Sequence, residues 1–195
     1  KDVLSPRMET EELIYKVLEH IKKSKKDSFR ILDLCTGSGI IAITLKKEIV
    51  EKYTEIVASD ISEKALSIAI ENANNNNANI TFIKSDLFDN ISGKFDLIIS
   101  NPPYISYKDK ITIKDSVLNY DPHLALFAEE DGIYFYRKII ENAVHYLSKD
   151  GVIFFEIGYD QKEKIFELGK NNNFITTVYK DINNRDRIAK LIYDK

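Results

Sequence analysis

The 195-residue sequence has no tryptophan, one methionine and one cysteine. A single thiol, Cys35, excludes an intrachain disulfide and suits a reducing compartment better than a secretory one. No apolar run approaches the ~20 residues that a membrane-spanning helix requires, and residues 1–13 lack the apolar core of a signal peptide. Basic residues are not in excess, since 28 Lys and Arg stand against 31 Asp and Glu for a formal charge of −3. That balance argues against a surface that grips a nucleic-acid backbone unaided. His20, His123 and His145 show no metal-ligand spacing with Cys35. Neither a zinc site nor a Ser–His–Asp arrangement is supported, and no metal is expected. What remains is a cytoplasmic chain with no membrane partner. Its 44% hydrophobic and 30% charged residues suit one globular domain with a substantial core. The chain opens on Lys1 rather than methionine, as a fragment or processed product would.

Short β-branched runs alternate with amphipathic stretches, the pattern of a parallel sheet covered by helices. Strands are predicted at 30–35, 55–59, 80–84, 95–100, 151–157, 175–179 and 187–193. Helical spacing sets Leu13, Val17, Leu18 and Ile21 on one stripe, and Ile40, Ile43, Thr44 and Ile49 on a second. Ala65, Ile68, Ala69 and Asn72 form a third, and Ile133, Tyr136, Ile140 and Val144 a fourth. Thr10 is a candidate N-cap for the first helix, with Glu9 or Asp2 as alternatives, and Ser62 is one for a later helix. The asparagines at 74–77 read as a helix exit and turn. Residues 102–130 are too long and irregular for a plain connection and read as a functional loop. No repeat or linker divides the chain.

Glycine is scarce, yet Gly37 and Gly39 fall together where the first strand ends, in Asp33-Leu34-Cys35-Thr36-Gly37-Ser38-Gly39. Such glycines let the chain turn sharply and let a ligand approach the main chain. The second strand ends at Asp60, placed to hydrogen-bond ribose hydroxyls. Three readings compete: a dinucleotide site, since 37–42 satisfies G-x-G-x-x-A; simple packing of strand on helix; and S-adenosylmethionine. The last draws on Asp33, which can orient the loop or meet the cofactor's positive amino-acid end. It draws also on Asp86, at the end of the third strand, which suits an adenine amino group. Asp60 and Asp86, a ribose acid and an adenine acid, fall at neighbouring strand ends, on the edge where open α/β sheets bind ligands.

Two of the four prolines fall in Asn101-Pro102-Pro103-Tyr104, directly after the fourth strand. Consecutive prolines fix φ and remove two N–H donors. What results is a rigid acceptor surface, the Asn101 side-chain oxygen and the Pro102 carbonyl, beside the aromatic face of Tyr104. These acceptors can hold both hydrogens of a planar –NH₂ group and aim its lone pair at an electrophilic methyl carbon. Hydrogen bonds that strengthen as charge develops on nitrogen lower the barrier without a strong base. A hydride-transfer enzyme has no evident need for such a surface, which disfavours the dinucleotide reading.

With these residues in view, the sequence resembles the N(5)-glutamine methyltransferases of peptide chain release factors. Residues 33–39 and Asn101-Pro102-Pro103-Tyr104-Ile105 carry the resemblance, and both motifs are shared with many amino-nitrogen methyltransferases. Further segments narrow it: Ser5-Pro6-Arg7-Met8-Glu9-Thr10-Glu11; Tyr120-Asp121-Pro122-His123-Leu124-Ala125-Leu126 with Glu130-Asp131-Gly132 and Phe135-Tyr136-Arg137; Glu156-Ile157-Gly158-Tyr159-Asp160-Gln161; and Asn184-Arg185-Asp186-Arg187. Met8 replaces the family's usual proline. The resemblance implies an α/β fold, a Rossmann-like class I S-adenosylmethionine-dependent methyltransferase. Its seven strands would run in the order 3-2-1-4-5-7-6, the seventh antiparallel, with helices on both faces.

It implies S-adenosylmethionine as cofactor, with S-adenosylhomocysteine as product. Asp33, Cys35, Thr36, Gly37, Ser38, Gly39, Asp60, Ile61, Asp86, Leu87 and Asn101 would bind it. Asn101, Pro102 and Tyr104 would carry the chemistry, and Pro103, Arg7 and Glu9 would join them around the substrate amide. The substrate would be the glutamine of the Gly-Gly-Gln loop in class-one release factors, with nucleic acid not expected as a direct substrate. Family members usually carry a helical N-terminal domain ahead of the Pro-Arg segment. Nothing corresponding stands here, so residues 1–195 are expected as a single catalytic domain that grips its protein substrate weakly. Two alternatives stay open: an amino-nitrogen methyltransferase acting on adenine or cytosine, and a non-catalytic cofactor-binding module. Arg185 and Arg187 read equally as surface ion-pair partners.

Overall fold

The computed structural model describes Val3 and residues 7–108 and 126–194. In chain order the elements are α1 (Met8–Lys23), β1 (Ser28–Leu34), α2 (Ile40–Glu48), β2 (Tyr53–Asp60), α3 (Glu63–Asn75), β3 (Thr81–Lys84), β4 (Phe95–Ser100), β5 (Ile105–Ser106) and β6 (Phe127–Ala128). A short turn at Glu129–Gly132 follows, then α4 (Tyr134–Ala143), β7 (Leu147–Glu156), α5 (Lys162–Asn171), β8 (Phe174–Lys180) and β9 (Asp186–Tyr193).

The large sheet has seven strands in the order β3-β2-β1-β4-β7-β9-β8. β9 runs antiparallel to both of its neighbours, and the other pairings are parallel. Counting only the strands of this sheet along the chain gives 3-2-1-4-5-7-6. The numbering is offset because β5 and β6 form a separate parallel pair, Ile105↔Phe127 and Ser106↔Ala128, which the sequence pattern does not predict. Their two-residue lengths explain why: such a run has no periodicity to read.

Each central strand alternates its side chains between two cores. Leu32, Leu34, Ile98, Ile153 and Phe155 enter one core with α4 and α5 residues. Ile31, Leu97, Ile99, Val152 and Phe154 enter the other with Leu13 and Val17 of α1 and Ile41 and Leu45 of α2. Fully burying one such side chain contributes roughly 1.5–3 kcal/mol, so both layers depend on the register. The parallel ladder then brings the ends of β1, β2, β3 and β4 to one edge, with Leu34 opposite Ser59 and Ser100 and Asp60 opposite Lys84.

Some local expectations need correction. Thr10 does not cap α1: that helix begins at Met8, Arg7 occupies the cap position, and no side chain closes it. On α2 the buried side chains are Ile41, Ala42, Ile43 and Leu45, not the stripe through Ile40 and Thr44. This helix contacts α1, β2 and α3, so its buried residues are spread over more than one side and one stripe does not define it. Ser62 does cap α3, its hydroxyl accepting from the Ala65 N–H at 3.3 Å. Asn77, at φ 53°, carries the exit from that helix. Most of the irregular 102–130 segment, including Tyr120-Asp121-Pro122-His123-Leu124-Ala125, lies outside the described residues, as do Ser5 and Pro6.

Candidate active site

The glycine turn sits between the end of β1 and α2. Gly39 takes the N-cap of α2 in a left-handed conformation, φ 80°, and the Thr36 N–H is tied to the Ser59 carbonyl at 2.9 Å. At Gly37 an added Cβ would meet nothing within 4 Å, so the main chain here faces open space that a ligand can occupy. Cys35 itself has φ 60°, a cost of order 1–3 kcal/mol for a residue with a Cβ and a feature that concentrates at functional sites. Burial, with Asp60 adding repulsion, pushes its thiol pKa up, so it is held as the neutral thiol.

Asp33 is fully buried beneath this turn. Its Oδ2 accepts from the Thr36 hydroxyl at 2.6 Å, whereas Oδ1 has no hydrogen-bond partner. The Ala42 backbone N–H, in the first turn of α2, eases the charge electrostatically without giving Oδ1 a partner of hydrogen-bond geometry. Burial, with Asp60 adding like-charge repulsion, raises the Asp33 pKa to about 7. An orphaned buried carboxylate oxygen under an open glycine turn fits a ligand whose positive end approaches the loop.

Asp60, at the end of β2, organises the neighbouring backbone. Its Oδ2 accepts from the Gly37 N–H and its Oδ1 from the Ser62 N–H, each at 2.9 Å. A carboxylate has about four acceptor positions, so each oxygen retains capacity for a ribose hydroxyl. Ile61 beside it is exposed. At the end of β3 the Ser85 hydroxyl donates to the Leu87 carbonyl and accepts from the Asn90 N–H. This fixes a turn in which Leu87 has φ 45° and Asp86 is exposed. Ser38 is also held, its carbonyl accepting from the Asn72 amide at 2.9 Å. The predicted cofactor residues are thus brought to one edge by three parallel strands.

Asn101 to Tyr104 leave the adjoining strand β4. Ser100 anchors that strand's end, its hydroxyl donating to the Leu34 carbonyl at 2.7 Å. Pro102 and Pro103 are buried, while Asn101 and Tyr104 are half-buried. The Tyr104 hydroxyl turns inward and lies 3.5 Å from Glu156 Oε1. Burial and the Glu156 charge raise its pKa to about 12, so it stays protonated. Arg7 and Glu9 are half-buried and act electrostatically on both Tyr104 and Glu156, which puts them beside this cleft.

Three residues to which the sequence assigned no site role, Thr10, Glu156 and Gln161, hold this segment. Glu156, at the end of β7, is 1% exposed; its Oε2 accepts from the Thr10 hydroxyl at 2.7 Å. The Asn101 amide donates to that same hydroxyl oxygen at 3.3 Å. Gln161 donates through Nε2 to the carbonyls of Tyr104 and Gly132, at 2.8 and 3.3 Å, and its Oε1 accepts from the Gly158 N–H at 2.8 Å. A Cβ on Gly132 would collide with the Tyr104 carbonyl, so only glycine permits this turn to approach so closely. One signal was available: a carboxylate among Phe154, Phe155 and Ile157 needs buried partners. Arg187 also departs from expectation, because it is buried rather than on the surface. Its Nη1 donates to the Ile157 carbonyl at 3.0 Å, and its Nε lies 3.5 Å from the Asp181 carboxylate. Arg185 is exposed, its guanidinium 5.8 Å from the Tyr159 ring centre.

The chain is similar to known proteins. Residues 14–122 match the methyltransferase small domain family. The release factor glutamine methyltransferase of Lactococcus lactis is 44% identical over 191 residues, 97% of this chain and 69% of that protein. This chain belongs to the release factor glutamine methyltransferase family. Its namesake in Flavobacterium psychrophilum is 43% identical over 196 residues, covering 98% of this chain and 68% of the relative. The solved release-factor-specific protein-(glutamine-N5) methyltransferase of Alicyclobacillus acidocaldarius shares the fold at a TM-score of 0.58. It is 22% identical and covers 100% of this chain and 98% of that one. The family is one of S-adenosylmethionine-dependent enzymes.

Proposed function

We propose that this chain is a cytoplasmic enzyme that methylates class-one peptide chain release factors on the side-chain amide nitrogen of the Gly-Gly-Gln glutamine. The observation that supports the reading is the Asn101–Tyr104 segment at the end of β4, which adjoins the end of β1 and is tied down through Thr10, Glu156 and Gln161. The names of the relatives support the same class of substrate.

S-adenosylmethionine supplies an electrophilic methyl group on a positively charged sulfur and leaves as S-adenosylhomocysteine. The main chain of Cys35–Gly39 and the Asp33 carboxylate hold the methionine end, Asp60 and Ile61 the ribose, and Asp86 and Leu87 the adenine. Asn101 Oδ1 and the Pro102 carbonyl accept the two hydrogens of the glutamine amide. An amide lone pair is delocalised into its carbonyl, so the acceptors orient a poor nucleophile. They also gain strength as positive charge develops on nitrogen. Pro103 keeps this backbone rigid, Tyr104 packs against the substrate, and Arg7 and Glu9 flank the entrance.

Labelled S-adenosylmethionine, purified release factor and, in parallel, duplex DNA and ribosomal RNA provide the test. Label should enter the release factor and be lost when its Gly-Gly-Gln glutamine is replaced. Asn101→Ala should lower turnover at least ~100-fold, in line with loss of an oriented transition-state contact, while cofactor affinity changes little. Label on nucleic acid alone, or unchanged turnover in Asn101→Ala, would refute the assignment.

A further inference from the structure

Thr10, Asn101 and Glu156 come from α1, the segment after β4 and the end of β7, and they meet through one hydroxyl. The polarity of that meeting can be worked out atom by atom. An ionised carboxylate only accepts, so the 2.7 Å contact between Thr10 Oγ1 and Glu156 Oε2 uses the hydroxyl's single proton. The Thr10 oxygen then has only lone pairs left to offer. Asn101, 3.3 Å away, must therefore present its –NH₂ to Thr10, which turns its carbonyl oxygen away. Were the asparagine amide flipped, two acceptors would face each other at Thr10. A flipped Asn101 would also offer donors, not an acceptor, to a substrate nitrogen that carries hydrogens.

We propose that Glu156, acting through the Thr10 hydroxyl, is a positioning residue that fixes Asn101 with its carbonyl oxygen toward the substrate –NH₂ group. This rests on the reading of the site as an amide methyltransferase. Glu156 itself touches neither substrate nor cofactor; it sets the direction of one hydroxyl, and that hydroxyl sets the direction of one amide. The groups that face it are Arg7, Glu9 and Thr10 from α1, Tyr104 after β4, Tyr136 from α4 and Arg187 from β9. Tyr136 donates to its main-chain carbonyl at 2.8 Å, which holds the strand end still. Burial raises the Glu156 pKa, while the Thr10 hydroxyl and the arginines pull it back. Protonated, Glu156 could donate to Thr10, freeing the hydroxyl proton for the Asn101 carbonyl and allowing the flip. Methyl transfer should therefore weaken on the acid side as Glu156 takes up its proton.

Glu156→Gln keeps the shape and supplies a donor that permits the reversed network at every pH. It should lower kcat at least ~10-fold, leave the dissociation constant for S-adenosylmethionine within about twofold, and abolish the acid limb of the rate profile. Thr10→Val should reproduce the loss, and Thr10→Ser, which restores the hydroxyl, should recover most of the rate. A second readout needs no protein substrate: the Asn101 side-chain amide resonances in ¹⁵N-labelled protein saturated with S-adenosylmethionine. In wild type these protons should be protected and distinct, and in Glu156→Gln and Thr10→Val they should shift and lose protection. A Glu156→Gln enzyme with wild-type kcat and an intact acid limb would overturn the proposal, as would a Thr10→Ser enzyme as impaired as Thr10→Val. If wild type labels no release factor, the functional reading falls, and the resonances alone decide: unchanged signals in Glu156→Gln overturn the positioning role.

Discussion

Replacing Asp33 with asparagine should stabilise the cofactor-free protein at alkaline pH and weaken its hold on the cofactor. Asp33 is fully buried with one oxygen unpartnered, and its pKa rises from 3.8 to about 7. Above pH ~4 the unfolded chain has lost this proton, whereas the folded chain keeps it until pH nears 7. The folded state therefore binds more protons in that window, and stability falls as pH rises through it. About three pKa units at 1.36 kcal/mol each is a loss of about 4 kcal/mol by pH 8. Asparagine removes that loss but leaves an amide group without a partner, at roughly 1–3 kcal/mol. The net expectation is a gain of about 1–3 kcal/mol at pH 8, or roughly 2–10 °C in Tm for a chain of this size. At pH 4, where wild type has not yet incurred its loss, the variant should be weaker by the roughly 1–3 kcal/mol of the unpartnered amide. Urea unfolding of both proteins from pH 4 to 8.5, without and with S-adenosylmethionine, measures this directly. With cofactor the order should invert, because Asp33 then finds the cationic partner that its free oxygen lacks, and the variant's dissociation constant should rise about tenfold or more. A stability difference between variant and wild type that stays constant across the pH range would refute the reasoning.

Other consequences follow from the same geometry. In Gly132→Ala the new methyl group would collide with the Tyr104 carbonyl at a backbone of φ 81°. Strain of about 1–3 kcal/mol should appear in urea unfolding, and kcat should fall about tenfold while cofactor affinity holds. Asp60→Ala removes the acceptor for both the Gly37 and Ser62 N–H groups. Charge-assisted bonds of this kind are worth about 1.5–3 kcal/mol each. Calorimetry should show cofactor affinity at least about tenfold weaker and thermal unfolding several degrees lower, and unchanged affinity would remove Asp60 from the site.

The sequence by itself determined the sheet and set the glycine turn and the proline pair directly after two of its strands. Continuous apolar runs through Ile31-Leu32, Ile98-Ile99 and Phe154-Phe155 suit strands covered on both faces, and the two residues of each pair go to opposite cores. The glycine turn at 37–39 and the paired prolines at 102–103 were legible because backbone restriction is a property of the residue type. Only the tertiary structure decided which side chains hold Asn101. Asn101 and Glu156 stand 91 and 146 residues from Thr10, and no local pattern encodes a hydrogen bond across such separations. Thr10 looked like a helix cap because threonine near a helix start usually is one; a buried carboxylate on β7 offered it a better partner. Arg187 looked like a surface charge until Ile157 and Asp181 enclosed it. Propensity and period act within a few residues, whereas the satisfaction of buried polar groups depends on which distant strands the fold sets side by side.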